Sequence, residues 1–148
     1  METGKKIAAG VLPICKQTGK LLIIKRGPNQ SGGGTWACFG GKFEPEVDRS
    51  PKECAKREFA EESSFTGFYK ITRMPLHVNS DNHRIFYTYV GIVDEEFVPD
   101  LERGHEATEY GWFSLGELPE NLLPGFGETI EKKYHTLENI VAFYTKKV

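Results

Sequence analysis

The sequence predicts an α+β fold in which a mixed β-sheet lies between helical layers. Three observations favour it: short apolar runs rich in β-branched residues, a capped helical segment in the middle of the chain, and an amphipathic helical pattern near its end. With 148 residues, 39% hydrophobic and 12% aromatic, the chain can bury a substantial core and is not of the disordered class. We expect one domain over residues 1–148, because no linker or internal repeat divides them.

The first part of the chain predicts a hairpin followed by a glycine-rich loop. Residues 7–14 and 20–26 are apolar and β-branched, and Gly19 between them suits a tight turn. Residues 27–35 include three consecutive glycines, a composition typical of loops. This loop either moves over a ligand or is a plain connector, and residues 36–39 then form a short strand.

The second half alternates predicted strands with polar connections. The strands cover residues 68–74, 84–93 and 110–114, and the middle one is the richest in aromatic and β-branched residues. The connections are turns at 79–82 and 115–118 and an acidic loop at 94–105. The last element is an amphipathic helix at 128–146, because apolar residues recur there at helical spacing: Ile130, Tyr134, Leu137, Val141 and Tyr144.

The central helix begins at a clear capping signal. Ser50 suits the N-cap, Pro51 the first helical position, and Glu53 completes a capping box. The helix then carries an arginine and three carboxylates: Arg57, Glu58, Glu61 and Glu62.

The three carboxylates share one arc of this helix with small and apolar residues, whereas a purely core-shielding helix keeps the two apart. They also lie late in the helix, where negative charge opposes the dipole. A bound cation would remove both penalties, and clustered carboxylate oxygens suit hard ions such as Mg²⁺ or Mn²⁺. The alternative is a solvated acidic face, the usual fate of a charge run.

The residue order around this helix resembles the Nudix box, G-x5-E-x7-R-E-U-x-E-E-x-G-U, where U is bulky and apolar. Gly41 matches the first glycine, residues 57–62 match R-E-U-x-E-E, and Phe65 matches the last position. The segment between Gly41 and Arg57 is two residues longer than the pattern, so either Asp48 or Arg49 takes the place of the middle glutamate. Ser64 replaces the glycine that would end the helix with a positive φ.

The resemblance implies a Nudix-type α/β/α sandwich and a metal site. It implies that the metal ligands are the Gly41 carbonyl and the carboxylates of Glu58, Glu61 and Glu62, and that Arg57 orients a carboxylate. A further glutamate before a tryptophan often binds metal or acts as the base in this family. Glu106 is the first choice here and Glu109 the second, with a plain surface carboxylate as the alternative for either.

Candidate substrate-binding residues lie at the ends of predicted strands. Arg26, Lys42 and Arg84 could hold phosphate, although each alone could be an ordinary surface charge. Trp36 could stack on a base or pack in the core. Gly40, in the run that approaches the box, completes this set.

Composition narrows the partners and the compartment. A net charge of −2 provides no basic field for bulk nucleic acid. Cys15, Cys38 and Cys54 are odd in number and widely spaced, which indicates free thiols in a reducing compartment and no zinc site. No apolar run approaches the length of a membrane span, so we expect a cytoplasmic protein that does not enter membranes.

The resemblance implies a metal-dependent hydrolase that cleaves the pyrophosphate linkage of a nucleoside diphosphate bonded to another group, X. We expect a nucleoside triphosphate, oxidised forms included, or a sugar nucleotide. The alternatives are a prenyl-diphosphate isomerase, which needs a cysteine and a glutamate facing one apolar pocket, and a non-catalytic nucleotide-binding module. The sequence shows no clear cysteine–glutamate pair, and it leaves a homodimer open.

Overall fold

The computed structural model describes residues 4–104 and 107–145. Its strands are β1 (Lys6–Cys15), β2 (Leu21–Arg26), β3 (Trp36–Ala37), β4 (Phe39–Lys42), β5 (Tyr69–Ile71), β6 (His77–Ser80), β7 (Arg84–Val93) and β8 (Ala107–Phe113). Its helices are α1 (Pro51–Ser63), α2 (Leu101–Gly104), α3 (Pro124–Lys132) and α4 (Tyr134–Thr145), with a 3-10 turn at Leu115–Glu117. Among the described residues, none of the helices has both the length and the apolar character needed to cross a bilayer.

The strands form one mixed sheet, as predicted. Its main order is β3-β2-β1-β7-β5, with β1 and β7 parallel and the other pairs antiparallel. β1 pairs with β2 only next to the turn, at Ile14 and Leu21, because its earlier residues pair with β4 instead. This change of partner brings β4, which carries the glycine pair, into the sheet beside α1.

Successive side chains of the strands point to opposite faces of the sheet and pack in two separate cores. On one face Val11 and Leu22 pack with Phe59 of α1, and on the other Leu12 and Ile23 pack with Leu137 of α4. Because both faces are covered by helices, the strands are apolar on both sides. The predicted sandwich of a mixed sheet between helical layers is therefore confirmed.

Local chemistry fixes both ends of α1. The Ser50 hydroxyl accepts a hydrogen bond from the Glu53 N–H at 3.2 Å, and Pro51 is the first helical residue, as predicted. Ser64 ends the helix in the left-handed region, with φ 60°, and donates its N–H to Ala60. Serine therefore adopts the conformation for which glycine is the usual residue.

Four expectations about secondary structure are wrong in the later part of the chain. The helix predicted at 128–146 is two helices, α3 and α4, that meet at Lys133. Residues 79 and 80 belong to β6 because they pair with β7, and the turn lies at 81–83. The acidic loop at 94–105 contains α2, and the strand predicted at 68–74 is shorter, at Tyr69–Ile71.

Candidate functional site

The glycine pair in β4 lies between the helix that carries the carboxylates and an open cavity. A Cβ added at Gly41 would lie 2.3 Å from the carboxyl carbon of Glu58 on α1, whereas one at Gly40 would lie 2.7 Å from the Phe86 ring on the opposite face. Since successive side chains of a strand point to opposite faces, the two missing side chains make room on both sides. The strand therefore carries no side chain on either face at the point where the carboxylates approach it.

The three carboxylates of α1 are held by backbone and arginine donors. Glu62 accepts a hydrogen bond from the Gly40 N–H at 2.8 Å. Glu58 and Glu61 each lie 3.1 Å from the same nitrogen, Nη1 of Arg57. The Glu58 side chain is only 14% exposed, whereas that of Glu61 is 60% exposed and within reach of solvent.

Arg57 is in turn fixed by a buried aspartate in the long loop before α1. Its Nε and Nη2 donate to the two oxygens of Asp48 at 2.8 Å each, and Nη2 also donates to the Lys42 carbonyl at 3.0 Å. This two-pronged bond lowers the pKa of Asp48 to about 2 and raises the pKa of Arg57. Of the two residues that could replace the middle glutamate, Asp48 is thus the one that pairs with Arg57.

The residues around Gly41 suit a hard divalent cation by their chemistry. Glu58, Glu61 and Glu62 offer oxygen ligands only, from one helix, and the space beside Gly41 admits a carboxylate. As the side chains stand, no three His, Cys, Asp or Glu residues in the described part of the chain surround a common point. Arg57 lies between two of the carboxylates, where it balances their charge.

A cavity of about 320 Å³ opens on the α3 side of the sheet. It contains three of the predicted substrate-binding residues: Arg26, Gly40 and Arg84. Alternation alone would turn Arg26 toward α1 with Ile24, but the register of β2 shifts between Lys25 and Arg26. This irregularity re-aims the side chain into the cavity, and the Arg26 Nε then donates to the Ser31 carbonyl at 2.7 Å.

One wall of the cavity contains a hydrogen-bond network that the sequence did not predict. The Asn79 amide donates to Glu128 and, at 3.2 Å, to the Gly125 carbonyl, and its oxygen accepts from Thr129 at 2.8 Å. Asn79 is on β6 and the other three are on α3, so the network fastens the helix to the sheet. Because the sequence predicted a turn at 79–82, Asn79 was not expected in a strand that lines a cavity. No local pattern indicates a contact between residues so far apart in sequence.

The three cysteines are buried free thiols, as predicted. Cys38 lines the cavity together with Glu128, which is the cysteine–glutamate combination that the sequence alone did not reveal. Burial, and then the charge of Glu62, raises the pKa of the Cys38 thiol to about 12. This thiol therefore stays protonated near neutral pH.

Four other candidates lie away from the cavity or outside the described residues. Trp36 packs its ring edge-on against Phe113, with centroids 5.4 Å apart, and the Lys42 carbonyl accepts from Arg57, but neither lines the cavity. Glu109 is exposed and pairs with Lys25 at 3.3 Å. Glu106 lies outside the described residues.

The comparisons agree with this architecture. A family model described as NUDIX domain matches residues 4–134. The chain is similar to RenU, a Nudix hydrolase from M. smegmatis, with a TM-score of 0.74 and 20% identity over 93% of this chain and 88% of that one. It is also similar to a MutT protein from Methanosarcina mazei Go1, with a TM-score of 0.68 and 25% identity over 92% of this chain and 97% of that one.

A third similar structure contains a nucleotide. It is the NUDIX domain of Shewanella oneidensis NrtR complexed with ADP ribose, with a TM-score of 0.68 and 14% identity over 92% of this chain and 88% of that one. No match was found among curated proteins.

The family match and the similar structures identify a Nudix-type pyrophosphohydrolase, and the carboxylate helix behind a glycine pair and the sheet between helical layers agree with that class. Enzymes of this class act on a nucleoside diphosphate linked to another group. The family match spans most of the chain, and the chain belongs to the Nudix family.

Proposed function

We propose that the chain is a divalent-metal-dependent hydrolase that cleaves the pyrophosphate linkage of a nucleoside triphosphate, oxidised forms included, or of a sugar nucleotide. One observation carries this proposal: Gly40 lines the cavity and also donates its N–H to Glu62. The carboxylate helix and the cavity therefore meet at a single residue. The ADP ribose bound by the NrtR domain, a nucleoside diphosphate linked to a sugar, supports the same substrate class.

Each residue of the site has a chemical task in this proposal. The metal ligands are the Gly41 carbonyl and the carboxylates of Glu58, Glu61 and Glu62. Bound Mg²⁺ or Mn²⁺ would neutralise phosphate oxygens and lower the pKa of the attacking water. Arg57 orients Glu58 and Glu61 through its contacts with both. Glu106 is the base that accepts a proton from the water, because Glu109, the second choice, is exposed and paired with Lys25.

The cavity determines how the substrate lies. At about 320 Å³ it is near the lower end of ligand pockets, so it accommodates one nucleoside or sugar, not both ends of a dinucleotide. Within the described part of the chain the Arg26 guanidinium donates only from its Nε, to Ser31, so its outer nitrogens can donate to phosphate oxygens. Arg84 supplies a second positive charge from the start of β7.

A prenyl-diphosphate isomerase is the second candidate, because Cys38 and Glu128 line one cavity. The raised pKa of Cys38 suits a proton donor and not a thiolate. Six charged or polar side chains share the cavity with them, which favours a nucleotide over an isoprenoid chain: Arg26, Asn79, Ser80, Asp81, Arg84 and Thr88.

The test is a screen of purified protein with Mg²⁺ or Mn²⁺ against dNTPs, oxidised dNTPs, sugar nucleotides, dinucleoside polyphosphates and isopentenyl diphosphate. Products are identified by mass, and a chelator serves as the metal-free control. The hydrolase gives two phosphorylated fragments only with metal, whereas an isomerase gives a product of unchanged mass. Binding of nucleotides without turnover under all conditions would exclude the hydrolase and leave the binding module.

A further inference from the structure

The walls of the cavity carry opposite charges. Arg26 and Arg84 come from the sheet, whereas Glu128 comes from α3. Aromatic rings of Phe86 and Phe126 line the space between the strands and this helix. Such a cavity offers an apolar surface for a flat or ring-shaped group, cations for phosphate, and a carboxylate that accepts hydrogen bonds.

The Glu128 carboxylate is held in place before any ligand arrives. One oxygen accepts from the Asn79 amide and the other lies 3.3 Å from the Lys132 ammonium. These contacts lower the pKa of Glu128, so it is ionised at neutral pH. Because a carboxylate has about four acceptor positions, the two contacts leave capacity for a ligand. A group held in one orientation also loses less entropy on binding.

Two other polar residues of the cavity, Asn79 and Asp81, hold the fold together beside this wall. Asn79 already donates to Glu128 and Gly125 and accepts from Thr129, so it acts as a brace. Asp81 accepts from the N–H groups of His83 and Arg84, at 2.7 and 2.8 Å, and closes the hairpin before β7. Asp81 therefore stands beside the arginine, and Glu128 is the acidic acceptor on the α3 wall.

We propose that Glu128 is a specificity-determining residue that accepts an N–H or O–H hydrogen bond from the nucleoside or sugar seated in the cavity. Phosphates then lie toward Arg26 and Arg84, because a carboxylate repels a phosphate and accepts only from donors. This inference rests on the proposed function of the cavity as the nucleotide site. It predicts selection by the donors that the bound group presents.

The test is calorimetric binding of paired nucleoside diphosphates that differ by one donor. ADP is compared with purine riboside diphosphate and GDP with IDP for base donors, and ADP with dADP for a sugar hydroxyl. The proteins are the wild type, Glu128→Gln, Glu128→Leu and, as a control, Glu131→Gln, which removes an exposed carboxylate from the same helix. Circular dichroism and thermal unfolding establish that each variant is folded.

We expect the wild type to prefer the donor-bearing member of at least one pair by ~10-fold, as for one hydrogen bond to a charged group. Glu128→Leu should reduce that preference to ~2-fold or less, Glu128→Gln should weaken or redirect it, and Glu131→Gln should keep it. The pair that responds distinguishes a base donor from a sugar donor.

Two results would overturn the inference. One is a wild type without preference in any pair, and the other is a preference that both Glu128 variants retain. If metal-dependent hydrolysis persists in either case, the proposed function stands and only the role of Glu128 is wrong. A wild type that neither binds nor hydrolyses any nucleotide would remove both.

Discussion

The carboxyl group of Glu58 occupies the space that a side chain on Gly41 would need. A Cβ on Gly41 would lie 2.3 Å from the Glu58 carboxyl carbon and 2.4 Å from one of its oxygens. To make room, the Glu58 carboxyl group would have to turn away from its present position, in which it lies 3.1 Å from the Arg57 guanidinium. The present position of the Glu58 carboxyl group therefore depends on the absence of one methyl group.

We predict that Gly41→Ala displaces Glu58 and lowers both activity and stability. Turnover should fall at least ~10-fold, because a misplacement of about 1 Å at a reacting group can cost more than that. Overpacking should lower the free energy of unfolding by ~1–3 kcal/mol. Steady-state kinetics on a substrate found in the screen and urea unfolding measure the two effects.

The matched control for this substitution is Gly127→Ala in α3. A Cβ there would lie 3.7 Å from the nearest side-chain atom, an ordinary contact. Alanine in a helix interior should raise the free energy of unfolding by ~0.5–1 kcal/mol and leave turnover unchanged. If Gly41→Ala behaved like this control, the close contact between strand and helix would not matter for the site.

The second prediction concerns the carboxylates themselves. Glu61→Gln and Glu62→Gln should each lower kcat by ~100-fold or more, because each removes a charge proposed to bind metal, while the fold stays intact. Steady-state kinetics at varied Mg²⁺ and circular dichroism are the measurements. Glu95→Gln, an exposed carboxylate on a loop, should behave as the wild type. Unchanged turnover in both box variants would show that α1 is not the catalytic centre.

The central helix was predictable because its signals are local. Ser50, Pro51 and Glu53 fix its start within four residues, and the carboxylates follow at helical spacing. The family pattern places a glycine of positive φ at position 64, and Ser64 adopts that conformation although it departs from the pattern. The two core faces were predictable for a similar reason, because the continuous apolar runs of β1 and β2 indicate strands that are buried on both sides.

The cavity was not predictable because tertiary contacts create it. Arg26 reaches it only through the register shift in β2, and a shift of one residue turns a side chain to the other face. Asn79 and Glu128 meet across 49 positions of sequence. Asn79 also belongs to β6, although the residues at 79–82 favour a turn. Pairing with β7 outweighs that local preference.

The third prediction concerns the pair formed by Arg57 and Asp48. The Asp48 side chain is 2% exposed and that of Arg57 is 18% exposed, so removing the aspartate leaves a cation with little access to water. Asp48→Ala should lower the free energy of unfolding by ~1–3 kcal/mol, because Arg57 loses two hydrogen bonds but keeps its contacts with Glu58 and Glu61. It should also lower kcat, because Asp48 would no longer hold Arg57 in place beside Glu58 and Glu61.

The control for this pair lies on the same helix. Glu53 and Lys56 form an exposed pair at 3.8 Å, and an exposed pair contributes ~0–1 kcal/mol. Glu53→Gln should therefore change the free energy of unfolding by less than ~1 kcal/mol and leave kcat unchanged. Equal effects of the two substitutions in urea unfolding would mean that Asp48 is not a structural anchor of Arg57.

The fourth prediction concerns pH and His77, whose Nε2 is buried without a hydrogen-bond partner among the described residues. Burial, and then the charge of Lys133, lowers the pKa of His77 below its ordinary value of 6.5. The unfolded chain therefore binds this proton more readily, so the stabilising contribution of neutral His77 is complete above pH 6.5 and is lost as the pH falls below that value.

Asp48, with a pKa of about 2, loses its stabilising contribution only below pH 3.8, so it does not interfere with the measurement. Urea unfolding should show that the wild type is less stable at pH 5.5 than at pH 7.5. His77→Leu should reduce this loss of stability, whereas His83→Leu, on an exposed turn, should leave it unchanged. Equal pH dependence in all three proteins would contradict this role of His77.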